Sequence, residues 1–455
     1  MRDADTICAV SSPIGEGGIG IIRMSGPAAH SILKKIFRPR KPVRSFVSHR
    51  LYLGFVFDPQ TNLDVDEVFA VLLKKPRTYT RESMSEVYAH GGLAAQNQIL
   101  MLMVRNGARI AEPGEFTQRA FLNGRIDLAQ AESILDVIKS ETDNELRHAV
   151  ANMKGMLSEK IEAIRQEIRG LIVEVEAGID FPEEELDIQS EGWISRLTKV
   201  RTDLNQLISS YYEGRAIRDG LEVLIVGRTN VGKSSLLNAL LLKEKAIVTS
   251  IPGTTRDLVE DTIHIKGIKF RITDTAGLRR SDDPIEKEGI DRVRKRIPEA
   301  DVILWVLDAS EPYRQDDEET YEAIRDKRTI AVFNKTDLPE RLDRETVISR
   351  GVEGVEVSAL TGSGLENLKN SLHEVFLEAG SRNSGALVTN ARHKDALART
   401  GQAIGRAENC SKSGEPVEFL AFELRDALSC LGEITGETCT EEILSDIFSR
   451  FCIGK

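Results

Sequence analysis

The segment Gly227-x-x-x-x-Gly232-Lys233-Ser234 places two glycines, a lysine and a hydroxyl at the spacing that phosphate chemistry needs. Glycines let backbone N–H groups converge on an oxyanion, and a following helix adds its dipole. Lys233 supplies a charge for the β- and γ-phosphates, and Ser234 a ligand for Mg2+. Val231 and Ser235 complete the contiguous segment. Further on, "VFNKTD" presents Asn334, Lys335 and Asp337. A carboxylate at Asp337 accepts from the two donors on a guanine edge, a pair that adenine lacks, and a site left with unpaired polar groups rejects the wrong base. In "VSALTG", Ser358 and Ala359 follow at the next strand end, where the Ala359 N–H would meet the guanine oxygen. "DTAGLRR" offers Asp274, Thr275, Ala276 and Gly277 to sense magnesium and the γ-phosphate, but Leu278 stands where Ras-type enzymes carry a water-orienting glutamine. The four segments in this order predict a site for GTP.

These segments need strand ends and helix starts to hold them. "LEVLIVG" is a buried-strand run opening directly into the glycine loop and then a helix, and residues 220–380 alternate short apolar strands with helical stretches. This predicts an inserted α/β P-loop domain of Ras-like type. Residues 1–120 mix the strand runs "DTICAVSS", "GIGIIRM", "LYLGFVF" and "VDEVFAVLL" with one helix pattern, an α+β domain. "GEGGIG" in that region satisfies the dinucleotide-binding pattern, but a strand follows it and "RPRK" stands where an acid belongs, so it reads as a glycine-rich hairpin or loop. Residues 121–219 are helical, with no proline between Pro113 and Pro182 and a stripe at Ile161, Ile164, Ile168, Leu171 and Val175. A helical texture returns over 381–455. The flanks are therefore expected to form one discontinuous all-α domain, with the α/β unit inserted into it.

A chain of 455 residues with 41% hydrophobic and 29% charged residues has ordinary globular usage. Its net charge of −11 argues against a protein sheathed in nucleic acid, leaving RNA contact to local basic patches or a partner. The five cysteines form no CxxC pair and read as free thiols in a reducing cytoplasm. No apolar run reaches the ~20 residues of a spanning helix, so a cytoplasmic protein without membrane attachment is expected.

Together, "GRTNVGKSS", "TSIPGTTRD", "DTAGLRRSDDPIEKEGI", "NKTD", "AHGG", "PGEFTQRAFLNGRIDLAQAE" and the terminal "FCIGK" resemble the MnmE (TrmE) family of bacterial and organellar tRNA-modification GTPases over the whole chain. The resemblance implies a homodimer whose 1–120 domain binds folate and dimerises. It also implies a heterotetramer with the flavin-containing partner MnmG (GidA), modifying carbon 5 of the wobble uridine (position 34) of certain tRNAs. The one-carbon unit would come from a tetrahydrofolate derivative, 5,10-methylene- or 5-formyl-tetrahydrofolate, giving (carboxymethyl)aminomethyluridine. Motif matching carries folate contacts to Arg23, Glu86, Arg125 and Lys455; at Arg125 many relatives have lysine, which keeps the charge and changes the donor geometry. Cys452, near the proposed folate site, has no His or Lys directly beside it in sequence to activate the thiol, and Lys455 stands three residues on.

The same resemblance implies how hydrolysis proceeds without glutamine. Asn230, Thr249, Ile251 and Thr254 match a potassium site of oxygen ligands, and Thr255 joins Ser234 in the magnesium shell. Asn230 also reads as a turn residue that accepts left-handed geometry. Ser250, Pro252 and Gly253 fill out the nucleotide-binding loop. Of the carboxylates Asp282, Asp283, Glu286 and Glu288, the family pattern selects Glu286 to orient or accept from the water. The competing expectation is a ribosome-assembly GTPase switch of the Era or EngA kind. A single P-loop and no GxxG pair after residue 380 weigh against it. A third is an adaptor whose chemistry belongs to a partner.

Overall fold

The computed structural model describes residues 5–13, 15–180, 190–245, 261–274, 296–378 and 387–455. These fall into two compact units. The first is built from 1–135, 152–186 and 416–455, the second from 136–151 and 187–415.

The first unit carries a seven-stranded sheet of β1 (Ile7–Val10), β2 (Gly20–Ser25), β3 (Phe37–Pro39), β4 (Leu51–Phe57), β5 (Asp64–Leu73), β6 (Met84–Ala89) and β7 (Arg109–Ile110), in the order β3-β4-β5-β6-β2-β1-β7. All pairs are antiparallel except β1 with β7. The strand β2 directly follows the glycine-rich loop, so no helix N-terminus is available there for a dinucleotide. Two helices, Ala29–Ile36 and Leu93–Arg105, cover one sheet face and bury Ile32, Leu33, Ile36, Ile99, Leu102 and Met103 against Ile22, Met24 and Val87. On the other face Phe116 packs on Ile7, Ala9 and Met84. At β4 and β5 period-two alternation instead leaves Leu51, Leu53 and Phe69 exposed.

The predicted stripe Ile161, Ile164, Ile168, Leu171 and Val175 is buried along the helix Met156–Asp180, which packs on the helix Val417–Thr435. Arg165, almost fully buried on that helix, is paired with Glu437 and Glu162. The helix Glu441–Ser449, N-capped by the Thr440 hydroxyl, leads into the C-terminal segment, where Ile453 bridges Pro113.

In the second unit a six-stranded sheet runs β13-β12-β11-β8-β10-β9, formed by β8 (Leu221–Val226), β9 (Asp261–Ile265), β10 (Ile268–Asp274), β11 (Val302–Asp308), β12 (Thr329–Asn334) and β13 (Glu353–Glu356). It is parallel except where β9 pairs with β10. Every residue of β11 is buried, as a strand covered on both faces must be. The neighbours of β8 are β10 on one side and β11 on the other, so strand order reverses at β8 and a crevice opens beyond its carboxyl end. In this unit the helices Ser190–Ser209 and Ala391–Ser413 pack together through Leu197, Val200, Leu204, Ala396, Leu397 and Ile404. Each flank of the α/β region thus contributes helices to both units.

Candidate functional sites: a nucleotide crevice and an arginine–glutamate cluster on the first sheet

At the end of β8 the chain enters the glycine loop, and the helix Lys233–Lys245 begins immediately after it. Gly227 has φ 143°, and a Cβ there would stand 2.3 Å from the Val306 carbonyl; Gly232, at φ 99°, would put one 2.3 Å from Asn334 Nδ2. Any side chain at either place would collide with the strand ends that back the loop, and both φ values favour glycine. Asn230 adopts φ 64°, the left-handed geometry its residue type tolerates. Lys233 Nζ donates to the carbonyls of Gly227 (2.8 Å) and Arg228 (2.7 Å), so the charge already sits on the loop it would share with phosphate. Ser234 and Ser235 are exposed at the first helical turn.

The base-reading segment is tied to this loop. Asn334, buried at the end of β12, donates from Nδ2 to the Val231 carbonyl at 2.8 Å and accepts from the Ala359 N–H at 3.0 Å. The Ala359 N–H expected at the guanine oxygen therefore serves the Asn334 carboxamide here. Ser358 donates its hydroxyl to Asp337 Oδ1 at 2.5 Å, fixing the exposed carboxylate expected at the base. Lys335, at φ 66°, reaches Asp308 Oδ2 at 2.5 Å and the Asn230 carbonyl at 2.9 Å. Burial opposes ionisation of Asp308, but Lys335 and Ser310 outweigh it and hold the carboxyl below its ordinary range. The sequence reading did not single out Asp308. Its signal is the lone acid closing the apolar run "VILWVLD".

Asp274 ends β10 opposite Ile225 of β8, which brings its backbone beside the strand that feeds the glycine loop. Thr249, Ser250, Ile251, Pro252, Gly253, Thr254, Thr255, Thr275, Ala276, Gly277 and Glu286 lie outside the described residues. Among the described residues no group of three or more His, Cys, Asp or Glu is placed to hold a metal. The Ser234 hydroxyl and the Asn230 carboxamide are hard oxygen ligands of the kind that suit Mg2+ and K+ respectively.

In the first unit Arg23 and Glu86 face each other across β2 and β6, with Nε 3.7 Å from Oε1. Tyr88 donates to Glu86 Oε2 at 2.6 Å, and burial, then Glu86, push its phenol up to about 12. Arg23 Nη1 donates to the Gly454 carbonyl at 3.3 Å, and the Phe116 N–H to that of Lys455 at 3.1 Å, so the terminal segment closes on the same group. Burial, with Arg23 nearby, lowers the Lys455 amine below its ordinary value. Arg23 Nε is buried with no hydrogen-bond partner, an open donor beside a carboxylate. Among the described residues Arg125 meets this group through Tyr79, whose ring lies 4.5 Å from its guanidinium carbon and 5.9 Å from that of Arg23. Cys452 is exposed, whereas burial raises the Cys8 thiol to about 12.

The doubly wound sheet, glycine loop and guanine-reading strand ends define a P-loop GTPase, joined to a separate α+β domain with its own polar cluster. The profile described as "MnmE helical domain" matches residues 128–452, and that described as "GTP-binding protein TrmE N-terminus" matches 6–125. The chain is 45% identical over 99% of its length and 99% of the other chain to a protein named tRNA modification GTPase MnmE from Geobacter metallireducens. Against that from Geobacter sulfurreducens it is 46% identical over 100% of both chains. An Era structure from Aquifex aeolicus, 28% identical, covers 40% of this chain and 66% of that one with a TM-score of 0.26. The chain belongs to the MnmE family of tRNA modification GTPases. Among the described residues, no helix is long and apolar enough to cross a membrane.

Proposed function

We propose that the protein is a potassium-stimulated GTP hydrolase that works with a flavoprotein partner of the MnmG kind on the wobble uridine of tRNA, drawing a one-carbon unit from a tetrahydrofolate. The observation that carries this reading is the grouping of Arg23 and Glu86, paired across β2 and β6, with the Gly454–Lys455 segment, within the first unit. A pterin calls for a carboxylate and hydrogen-bond donors, and a glutamate tail for cations. Glu86, the open Arg23 Nε and Lys455 supply that set, with Arg125 across Tyr79. In the GTPase domain Ser234 and Thr255 hold Mg2+; Asn230, Thr249, Ile251 and Thr254 hold K+; Glu286 orients the water.

The exposed Leu51, Leu53 and Phe69 support a homodimer through the N-terminal domain, since Leu53 and Phe69 are cross-strand neighbours on one sheet face. The deciding test is reconstitution. The purified protein, its flavoprotein partner, tRNA, GTP, K+ and 5,10-methylene-tetrahydrofolate should yield a wobble uridine modified at carbon 5, and omission of the folate should abolish it. Full modification without folate would remove the N-terminal assignment.

A further inference from the structure

The first unit contains an open cavity of about 460 Å³, lined by His49, Arg77, Tyr79, Arg81 and Arg125 among others. We infer that this cleft, through Arg77 and Arg81, is a phosphate-contact site for the RNA backbone that adjoins the Arg23–Glu86 group at Tyr79 and Arg125; the inference rests on the reading that the protein acts on tRNA.

The charge balance is the first argument. Arg38, Arg40, Arg109 and Arg119 of the same unit are each paired with a carboxylate. Arg77, Arg81 and Arg125 form no ion pair with any carboxylate among the described residues; Arg81 Nη1 donates to the Asn123 carbonyl and Arg125 Nη1 to that of Tyr79. Two uncompensated guanidiniums at one cleft, Arg77 and Arg81, beside the Arg125 of the folate reading, make a local cationic focus for a polyanion on a chain of net charge −11.

Guanidinium geometry and exposure argue for phosphate ester oxygens. The planar fork matches phosphate bidentately, and Arg77 and Arg81 are both exposed, as contacts to a solvent-accessible backbone are. A small ligand held by burial would need an enclosed pocket, and this cleft is open to solvent. The backbone carries a second signal. Six described non-glycine residues have φ in the left-handed region; Asn230 and Lys335 belong to the nucleotide crevice, and His49 (φ 64°) and Arg81 (φ 59°) both line this cleft. Such geometry concentrates where a fold holds a binding loop in place. His49 is clamped there by Nε2 at 2.8 Å from the Arg77 carbonyl, which fixes the loop carrying Arg77.

The test is equilibrium binding of an unmodified tRNA transcript by the full-length protein across a KCl series. The combined variant Arg77→Ala with Arg81→Gly removes both guanidiniums, and glycine suits the left-handed backbone at 81. Its affinity should fall about tenfold near ~0.1 M salt, and the slope of log K against log salt should lessen by about two, one per lost contact. Arg77→Lys with Arg81→Lys should keep most of the slope. Arg40→Ala, an exposed arginine of the same unit paired with Glu67, should bind as wild type. Should the combined variant fail to fold, Arg77→Gln alone carries the same expectation with a slope change of about one. Unchanged tRNA binding by the folded variants overturns the inference. So does an equal loss in Arg40→Ala, and so does a loss confined to a tetra-γ-glutamyl folate probe, which would make the cleft a small-anion site. Absence of tRNA binding by the wild-type protein would instead fail the tRNA reading itself, and the inference with it.

Discussion

Lys335 Nζ lies 2.5 Å from Asp308 Oδ2, and the same ammonium donates to the Asn230 carbonyl at 2.9 Å. One lysine of the base-reading segment thus locks the end of β11 to the tip of the glycine loop. Asp308 is 4% exposed, so its charge is satisfied chiefly by Lys335 and Ser310. Asp308→Ala would leave Lys335 without its anchor and the loop without its brace. We expect a loss of about 1–3 kcal/mol in stability and roughly tenfold or more in GTP affinity, measured by thermal unfolding and nucleotide titration. GTP affinity equal to wild type would show that the lysine needs no anchor.

Acid sensitivity should be concentrated in the network that holds β7 and the helix Glu115–Leu122. Burial raises the Glu115 pKa, but Arg109, the Glu112 N–H and Arg119 outweigh it and leave it lowered. A carboxyl depressed by folding stabilises fully above its unfolded value, near ~4.3, and the contribution is lost as pH falls through the folded value. Glu115→Gln should therefore lower Tm at pH 7, by about 1–3 kcal/mol in stability, and the gap to wild type should narrow as pH drops below ~4. A gap that stays constant with pH would mean that packing, not charge, sets the effect.

The exposed pair Leu53 and Phe69 tests the proposed dimer. Phe69 is 48% exposed on β5 and directly opposite Leu53 on β4. Phe69→Glu changes little in the isolated fold, within roughly 0.5 kcal/mol, because the side chain is already in solvent. At an interface it would bury an unpaired charge, so sedimentation should show monomers where the wild type is dimeric. Persistence of the dimer would place the interface elsewhere.

What the sequence made legible follows from how local the governing physics is. The glycine loop was readable because strand, loop and helix are contiguous, although the groups that crowd Gly227 and Gly232, the Val306 carbonyl on β11 and Asn334 on β12, come from elsewhere in the chain. The stripe from Ile161 to Val175 was readable because helix burial is periodic. Asp308 was not, since its role depends on Lys335 arriving from the adjacent parallel strand. The unpaired state of Arg77 and Arg81 was equally hidden: a charge without a partner is a property of three-dimensional neighbours. In "PGEFTQRAFLNGRID" the family motif was plain, yet its Glu115 and Arg119 build an ion network with Asp5 and Arg109, which no spacing discloses.

Hydrolysis itself is tested through Leu278, which cannot position a water, and Glu286, eight residues further on in the chain. If a monovalent cation at Asn230 supplies transition-state charge and Glu286 orients the water, the two act on the chemical step and not on ground-state binding. Turnover should then be at least about tenfold faster in K+ than in Na+, with GTP affinity similar in both, since each 1.4 kcal/mol of differential stabilisation is a factor of ten. Glu286→Ala should bind GTP as wild type and hydrolyse it about 10²-fold or more slowly, the scale of a lost general base. Equal rates in the two salts remove the cation from the mechanism, and wild-type turnover in Glu286→Ala removes the carboxylate. Asn230→Ala separates the two contributions: its hydrolysis should become indifferent to the choice of cation while keeping its dependence on Glu286.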